Sequence, residues 1–359
     1  MQVFRCGTTI YSGTGAVAAL RELQPRRLFL VTDPFFAKNG TADRIAKNSG
    51  AECVEVYADV EPDPSVALAA RGTARVKEFM PDVMVALGGG SAMDCAKAML
   101  FFSGLEAKLV AIPTTSGSGS EVTDFAILTH NGVKHPLVDE KIVPDAAILD
   151  DELLQGLPAS LIADSGFDVI AHALEGYVGT NGSPVTDALA RDAFCAAFTA
   201  LPASFAGDTS VRLRLHTAAT MAGMAFSQAG LGLCHAMSHA LGGRFHVPHG
   251  RLNAILLPAV LDANGAEASR YAELARAAGL PGSADAVAMR NLKNALVKLR
   301  KELDLPATLA QAGVLPHAVR SDREEILAAV LEDPCCKTNP VAVTKDLACQ
   351  VLDAVTGHG

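Results

Sequence analysis

The sequence predicts two domains: an α/β domain on a parallel sheet over residues 1–156, then an all-helical domain over 157–359. Three observations predict this. Apolar runs of strand length alternate with segments of helical periodicity through the first part of the chain. From Leu157 onward only helical periodicity continues. A chain of 359 residues also exceeds what one ordinary core holds.

The elements follow in order. "TGAVAALREL" (14–23) has helical periodicity, and "RRLFLVTD" (26–33) is an apolar run closing in a polar turn, hence a buried strand. "AECVEVY" (51–57) is a second strand, and "SVALAARGTARVKEF" (65–79) an amphipathic helix. "DVMVALGGG" (82–90) is a strand running into glycines, and "SAMDCAKAMLFF" (91–102) the helix after it. "KLVAIPTTSGSGSEVT" (108–123) is a fourth strand ending in a polar loop. Apolar strands separated by helices imply a parallel sheet covered on both faces. The boundary falls near "LQGLP" (154–158), and no internal repeat is present.

Composition narrows the function. Half the residues are hydrophobic and 19% are charged, with a net charge of −9 and no tryptophan. The basic stretch "RNLKNALVKLRKELDL" (290–305) alternates with apolar residues at helical spacing and reads as a solvated helix face. Nucleic acid is not an expected partner. No apolar run reaches membrane-spanning length, and the N-terminus lacks a secretory pattern, so a cytoplasmic protein is expected. The eight cysteines include no CxxC pair and read as reduced, buried thiols.

Two loops carry a phosphate-binding signal. "LGGGSAMDCAK" places three glycines between a strand and a helix. Glycine lets backbone amides approach a ligand, and the helix start adds free N–H groups and partial positive charge. The GxGxxG fingerprint is absent. "PTTSGSGSEVT" follows the next strand with hydroxyls at Thr114, Thr115, Ser116, Ser118 and Ser120. Two such loops at strand C-termini suggest a nucleotide cleft at a switch point of the sheet. Asp33 ends an earlier strand. Its carboxylate suits a ribose hydroxyl and repels a 2′-phosphate, which favours NAD over NADP; an aspartate there also starts turns by bonding its own backbone.

The second domain holds the imidazoles. Four of ten histidines, His235, His239, His246 and His249, fall in "LCHAMSHALGGRFHVPHGRLNAILLP" (233–258). His235 and His239 share a helical face, as do Asp168 and His172 in "DVIAH". Asp164 is in phase with Asp168, and Glu175 lies three after His172, as a supporting partner or an ordinary helix charge. Burying several imidazoles without partners is costly, and a metal ion satisfies them. Spacing does not say which four residues bind.

At this point the chain resembles the iron-containing (group III) alcohol dehydrogenases. "GGGSAMDCAK", "PTTSGSGSEVT", "IVPDAAILDDELL", "DVIAHALEGY" and "HAMSHALGGRFHVPHGRLNAILLP" occur in that family's order and spacing, and "YAELARAAGL" and "EDPCCKTNPVAV" look like its C-terminal helices. The resemblance covers nearly the whole chain. It implies the fold shared with dehydroquinate synthase: a dinucleotide-binding α/β domain, an all-helical domain and a metal in the cleft between them. It places Asp168, His172, His235 and His249 at the metal-ligand positions, and His239 at a non-ligand position beside the substrate, as a proton relay. It assigns Gly89, Gly90, Ser91 and Asp94 to the pyrophosphate loop, and Thr114, Thr115 and Ser118 to the second cofactor loop. Lys134 is placed near the ribose, and Asp33 at the position tied to NAD preference. Ser118 stands where the family has threonine, and His246 takes no family role.

The function so implied is an NAD-linked dehydrogenase, with NADP as second choice, that transfers hydride between the cofactor and a small primary alcohol, a diol such as 1,3-propanediol, or the aldehyde. An ion, Fe2+ with Zn2+ able to take the same ligands, acts as Lewis acid. The family also implies a homodimer or larger homo-oligomer. A glycerol dehydrogenase-like zinc oxidoreductase is the nearest alternative, although Ser91 and "HAMSHALGG" look more like the alcohol branch. A dehydroquinate synthase-like lyase is another. It would need cations for a phosphorylated acid, with Arg244 and Arg251 the main candidates.

Overall fold

The central strands of the first domain are apolar on both faces, and the sheet explains why. The computed structural model describes residues 3–130 and 133–357. Two units divide it: one is Arg5–Gly156, and the other is Leu157–Gly359 together with Val3 and Phe4. Residues 1, 2, 358 and 359, at the ends of the expected domains, lie outside the described residues.

The first unit contains strands β1 (Thr9–Ser12), β2 (Arg27–Thr32), β3 (Cys53–Tyr57), β4 (Val83–Gly88), β5 (Lys108–Pro113), β6 (Phe125–His130), β7 (Val133–Val138) and β8 (Ala146–Leu149). Its α-helices are α1 (Pro34–Lys38), α2 (Thr41–Ser49), α3 (Val66–Phe79) and α4 (Gly90–Ser103). Six strands form one parallel sheet in the order β1-β8-β5-β4-β2-β3, and β6 and β7 form a separate antiparallel hairpin. Leu28 and Leu30 of β2 join one apolar cluster while Phe29 and Val31 join another. Each face therefore has its own core, so β2 and β4 read as unbroken apolar runs.

Chain order reverses between neighbouring β2 and β4: from β2 it runs outward to β3, and from β4 it runs the other way through β5 and β8. That switch point is where ligands bind in open α/β sheets. Asp33 leaves β2, Gly88–Gly90 leave β4, and Thr114–Ser118 leave β5.

The second unit is helical: α5 (Ala159–Val178), α6 (Pro184–Phe205), α7 (Arg212–Ala229), α8 (Leu233–Phe245), α9 (His249–Ala263), α10 (Ala268–Ala277), α11 (Asp285–Glu302), α12 (Pro316–Ser321), α13 (Arg323–Glu332) and α14 (Lys345–Thr356). Helix α5 is the core helix, buried almost throughout from Ile162 to Val178. A helix apolar all round belongs in an interior. Its polar residues Asp164, Asp168, His172 and Glu175 recur at spacings of four, four and three, which is one stripe on the buried cylinder. Among the described residues no helix is long and apolar enough to cross a membrane.

Several elements differ from the sequence expectation. Residues 16–23 form a 3-10 helix opened by Gly15 in the left-handed region. Strands β1 and β8 are four residues each, too short to show periodicity, and β7 contains Pro136, which argues against a strand except at an edge. The thiols also correct the reading: Cys95 and Cys234 are buried, but Cys6 and Cys53 are exposed and the other four intermediate. Cys53 opens β3, at one end of the sheet order, which leaves it less covered.

Candidate metal centre and nucleotide loops

Helix α5 presents Asp168 and His172 on its polar stripe, α8 presents His235 near its start, and α9 opens with His249. Pro248 stands just before α9, so the new helix begins at the histidine itself. Gly250 permits the approach: a Cβ there would lie 1.8 Å from the Asp164 carbonyl oxygen on α5. Ligand-capable atoms of Asp168, His172, His235 and His249 all fall within 4.8 Å of one another. The individual separations are informative. His249 Nε2 is 3.5 Å and His235 Nε2 3.9 Å from Asp168 Oδ1, and His172 Nδ1 is 3.8 Å from Asp168 Oδ2. These are at or beyond the edge of hydrogen bonding. Two ligands each about 2.0–2.1 Å from a tetrahedral ion sit about 3.4 Å apart. Three imidazoles and one carboxylate therefore fit a divalent ion.

The supporting contacts orient these donors. His235 Nδ1 lies 2.6 Å from Glu175 Oε2. That carboxylate also accepts from the amides of Gly232 at 2.9 Å and Cys234 at 2.7 Å, at the start of α8. Glu175 therefore caps α8 and fixes the His235 tautomer, leaving Nε2 toward the cluster. Burial pushes the Glu175 carboxyl up to about 7 against the pull of these amides. Burial, with the charges of His172 and His239, holds His235 well below its ordinary value, so its ring is neutral and its lone pair available. Asn253 of α9 donates to Asp168 Oδ1 at 2.7 Å and accepts from the Ser238 hydroxyl. Burial raises the Asp168 carboxyl, opposed by His172 and Asn253.

His239 shares the α8 face of His235, and its ring stacks on His249 at 5.3 Å between centroids and 15°. Its Nδ1 is engaged by Asp333 Oδ2 at 2.8 Å. The structure places it beside the four-residue group and outside it. His246 is exposed and closes α8 in the left-handed conformation, φ 54°, with its amide bonded to Gly242. It is a helix cap.

In the first unit the two loops touch. Gly88 has φ 150°, and a Cβ there would press on Ala92 at 2.7 Å, so only glycine turns β4 into α4. A Cβ on Gly89 would meet Thr115 Oγ1 at 3.3 Å, one on Gly90 would meet Ser118 at 3.3 Å, and Thr114 donates its amide to Gly88. Gly90 and Ser91 open α4, whose N-cap Gly89 offers no side-chain acceptor. The first amides of a 14-residue helix are thus left for an anion. Asp33 Oδ1 caps α1 through Phe35 and Phe36, while Oδ2 lies toward Gly88. Both carboxylate oxygens of Asp94 are committed within the protein, to the Ser120 hydroxyl at 3.0 Å and the Ile127 amide at 3.2 Å. Lys134 pairs with Asp63 at 2.6 Å.

The comparisons with known proteins agree across the chain. Residues 7–151 match the family model for iron-containing alcohol dehydrogenase, and residues 162–356 match that of the family's C-terminal part. The 1-propanol dehydrogenase PduQ of Citrobacter freundii is 39% identical, covering 95% of this chain and 96% of its own. This chain belongs to the iron-containing alcohol dehydrogenase family. It is an oxidoreductase acting on CH–OH groups. The NADPH-dependent butanol dehydrogenase of Clostridium saccharobutylicum is 36% identical, covering 99% of this chain and 98% of its own. The solved structure of a 1,3-propanediol oxidoreductase superposes with a TM-score of 0.92 at 30% identity, over 99% of this chain and all of the other.

Some features of this alcohol dehydrogenase escaped the sequence. Lys97 is fully buried and donates to Ser120 Oγ, Thr123 O, Thr123 Oγ1 and Phe125 O at 2.8–3.1 Å. It ties α4 to the end of the second loop, and burial pulls its ammonium down to about 8. Position 97 falls in a helix with no spacing signal to set it apart, and a lysine ordinarily faces water. Asn253 likewise carries no spacing signal. Arg251 is bound in a fork to Asp164, and Arg244 pairs with Asp322 and Glu325. The two cations that a phosphorylated-acid lyase would need are thus already committed.

Proposed function

We propose that Asp168, His172, His235 and His249 hold one divalent ion, Fe2+ in keeping with the family and Zn2+ on the same ligands as an alternative. The observation that carries this is the convergence of three imidazoles and one carboxylate from α5, α8 and α9 within 4.8 Å. Bound there, the ion supplies Lewis acidity toward the substrate oxygen, and a nicotinamide cofactor supplies the hydride acceptor or donor. The chain's own residues do the remaining work. Gly89, Gly90, Ser91, Thr114, Thr115 and Ser118 cradle the cofactor's diphosphate, helped by the uncapped start of α4. Lys134 serves the ribose side. Asp94 and Lys97 act indirectly, by holding the second loop.

Asp33 favours NAD, because its Oδ2 is a fixed negative charge at the switch point. A 2′-phosphate there would meet like charge. His239 is the proton relay: half-buried, it lies against His249 and keeps Nε2 for exchange. The substrate class is small primary alcohols or diols and their aldehydes, as the names of the 1-propanol, butanol and 1,3-propanediol relatives suggest.

An anaerobic screen of short alcohols and aldehydes with NAD(H) and NADP(H), on protein reconstituted with Fe2+ or Zn2+, tests this reading. Expected is metal-dependent, NAD-linked turnover of short primary alcohols. Full turnover in metal-free protein, or none in any loaded form, contradicts it.

A further inference from the structure

The late segment "DPCCKTN", Asp333 to Asn339, belongs to neither the proposed ligand set nor the nucleotide loops. It forms a short 3-10 turn, Pro334–Thr338, bonded to the start of α8. Thr338 Oγ1 donates to the Leu231 carbonyl at 2.6 Å, and Asn339 Oδ1 accepts from the Leu233 amide at 3.1 Å. These bonds fix the chain leading into α8. Asp333 reaches further along the helix, to His239 Nδ1 at 2.8 Å.

Asp333 is itself held. Its Oδ1 accepts from the Cys335 amide at 2.8 Å, which fixes the carboxylate plane and caps the turn. Burial pushes the Asp333 carboxyl up, but the His239 hydrogen bond and charge and the Cys335 amide outweigh this and hold it below the ordinary value. An ionised carboxylate only accepts. The hydrogen between the two residues is therefore on His239 Nδ1, which leaves Nε2 as the ring nitrogen not held by Asp333. The parallel ring of His249 fixes the plane from the other side.

We propose that Asp333 is the positioning residue for His239, fixing its tautomer and ring plane so that Nε2 is the atom that exchanges the substrate's proton. This rests on the reading of His239 as relay. In oxidation Nε2 would accept the substrate's hydroxyl proton and in reduction return it, while a bound nicotinamide would supply the hydride acceptor or donor. Asp333 stays an anion throughout. His239, Asp333 and Cys335 also have the spacing of a metal set. The direct 2.8 Å hydrogen bond joins two of its members, and an ion bound there would show as a second metal in the test below.

The test is a double-mutant cycle on metal-loaded enzyme: Asp333→Ala, His239→Ala and both together, with kcat, the KM for cofactor and metal content measured for each. Asp333→Ala is expected to lower kcat roughly 10-fold or more, within the range that acid–base groups contribute, at unchanged metal content and cofactor KM. In the His239→Ala background the same change should cost nothing further. Asp333→Asn keeps a hydrogen-bonding side chain in the turn and goes through the same cycle in case the alanine variant does not fold. Equal losses in both backgrounds, an unchanged kcat, or loss of a second bound ion in the Asp333 variants would overturn the proposal. Wild-type kcat in His239→Ala alone would instead remove the relay reading, and the proposal with it.

Discussion

Glu175 Oε2 lies 2.6 Å from His235 Nδ1, and the same carboxylate receives the amides of Gly232 and Cys234. One buried side chain thus performs two tasks: it caps α8 and aims a candidate ligand. Neutralising it should expose both. Glutamine offers one acceptor oxygen where glutamate offers two, so at least one donor at the helix start meets an NH2 group. Glu175→Gln is expected to cost about 1–3 kcal/mol of stability and to weaken metal retention about 10-fold to 100-fold. Urea unfolding and chelator competition measure the two effects; no change in either would make Glu175 a bystander.

Gly250→Ala tests the helix contact that seats His249. The new Cβ would sit 1.8 Å from the Asp164 carbonyl oxygen, which is backbone and yields little. The expected loss is roughly 1–3 kcal/mol or more, with a fall in bound metal as α9 is pushed off α5. Gly265→Ala, where a Cβ meets nothing within 4 Å, is the control and should stay within about 0.5 kcal/mol. Thermal unfolding of the two variants, with metal analysis, decides the matter. Equal behaviour would contradict the tight-packing explanation.

Asp33 both caps α1 and places a charge near Gly88. Asp33→Asn keeps an acceptor for Phe35 and Phe36 and removes the charge. The ratio of kcat/KM for NAD over NADP should narrow while the unfolding midpoint hardly moves. A preserved ratio would detach Asp33 from cofactor choice.

Asp94 gives a pH dependence of definite sign. Burial raises its carboxyl from 3.8 to about 6, partly opposed by Lys97. The folded state thus holds the proton more tightly than the unfolded chain. Its contribution to stability is greatest below about pH 4 and is lost as pH rises through about 6. The stability of wild type minus Asp94→Asn, from urea unfolding across this range, should fall as pH rises. A difference that grows with pH would reverse the assignment.

Much of this was legible in the sequence, and the rest was not for identifiable reasons. Residues 27–32, 83–88 and 108–113 are long apolar runs ended by Asp33, Gly88 and Thr114, so both the strands and their loops could be read. The four-residue strands β1 and β8 are shorter than any period can reveal. In the helical unit, His235 and His239 are alike at i,i+4 spacing. What separates them is that Glu175 holds one and Asp333 the other, from helix α5 and a turn 94 residues beyond His239. Such partners are set by tertiary packing, which spacing does not encode. Lys97 is the extreme case, a lysine whose acceptors lie 23 to 28 residues on, in the second loop and at the start of β6.

The most direct test is metal analysis of wild type and His249→Ala after anaerobic reconstitution with Fe2+, beside activity and NADH binding. One ion per chain in wild type is expected. The variant should lose the ion and nearly all activity while still binding NADH. A variant that keeps the ion, or turns over fully without it, would contradict the assignment of the centre.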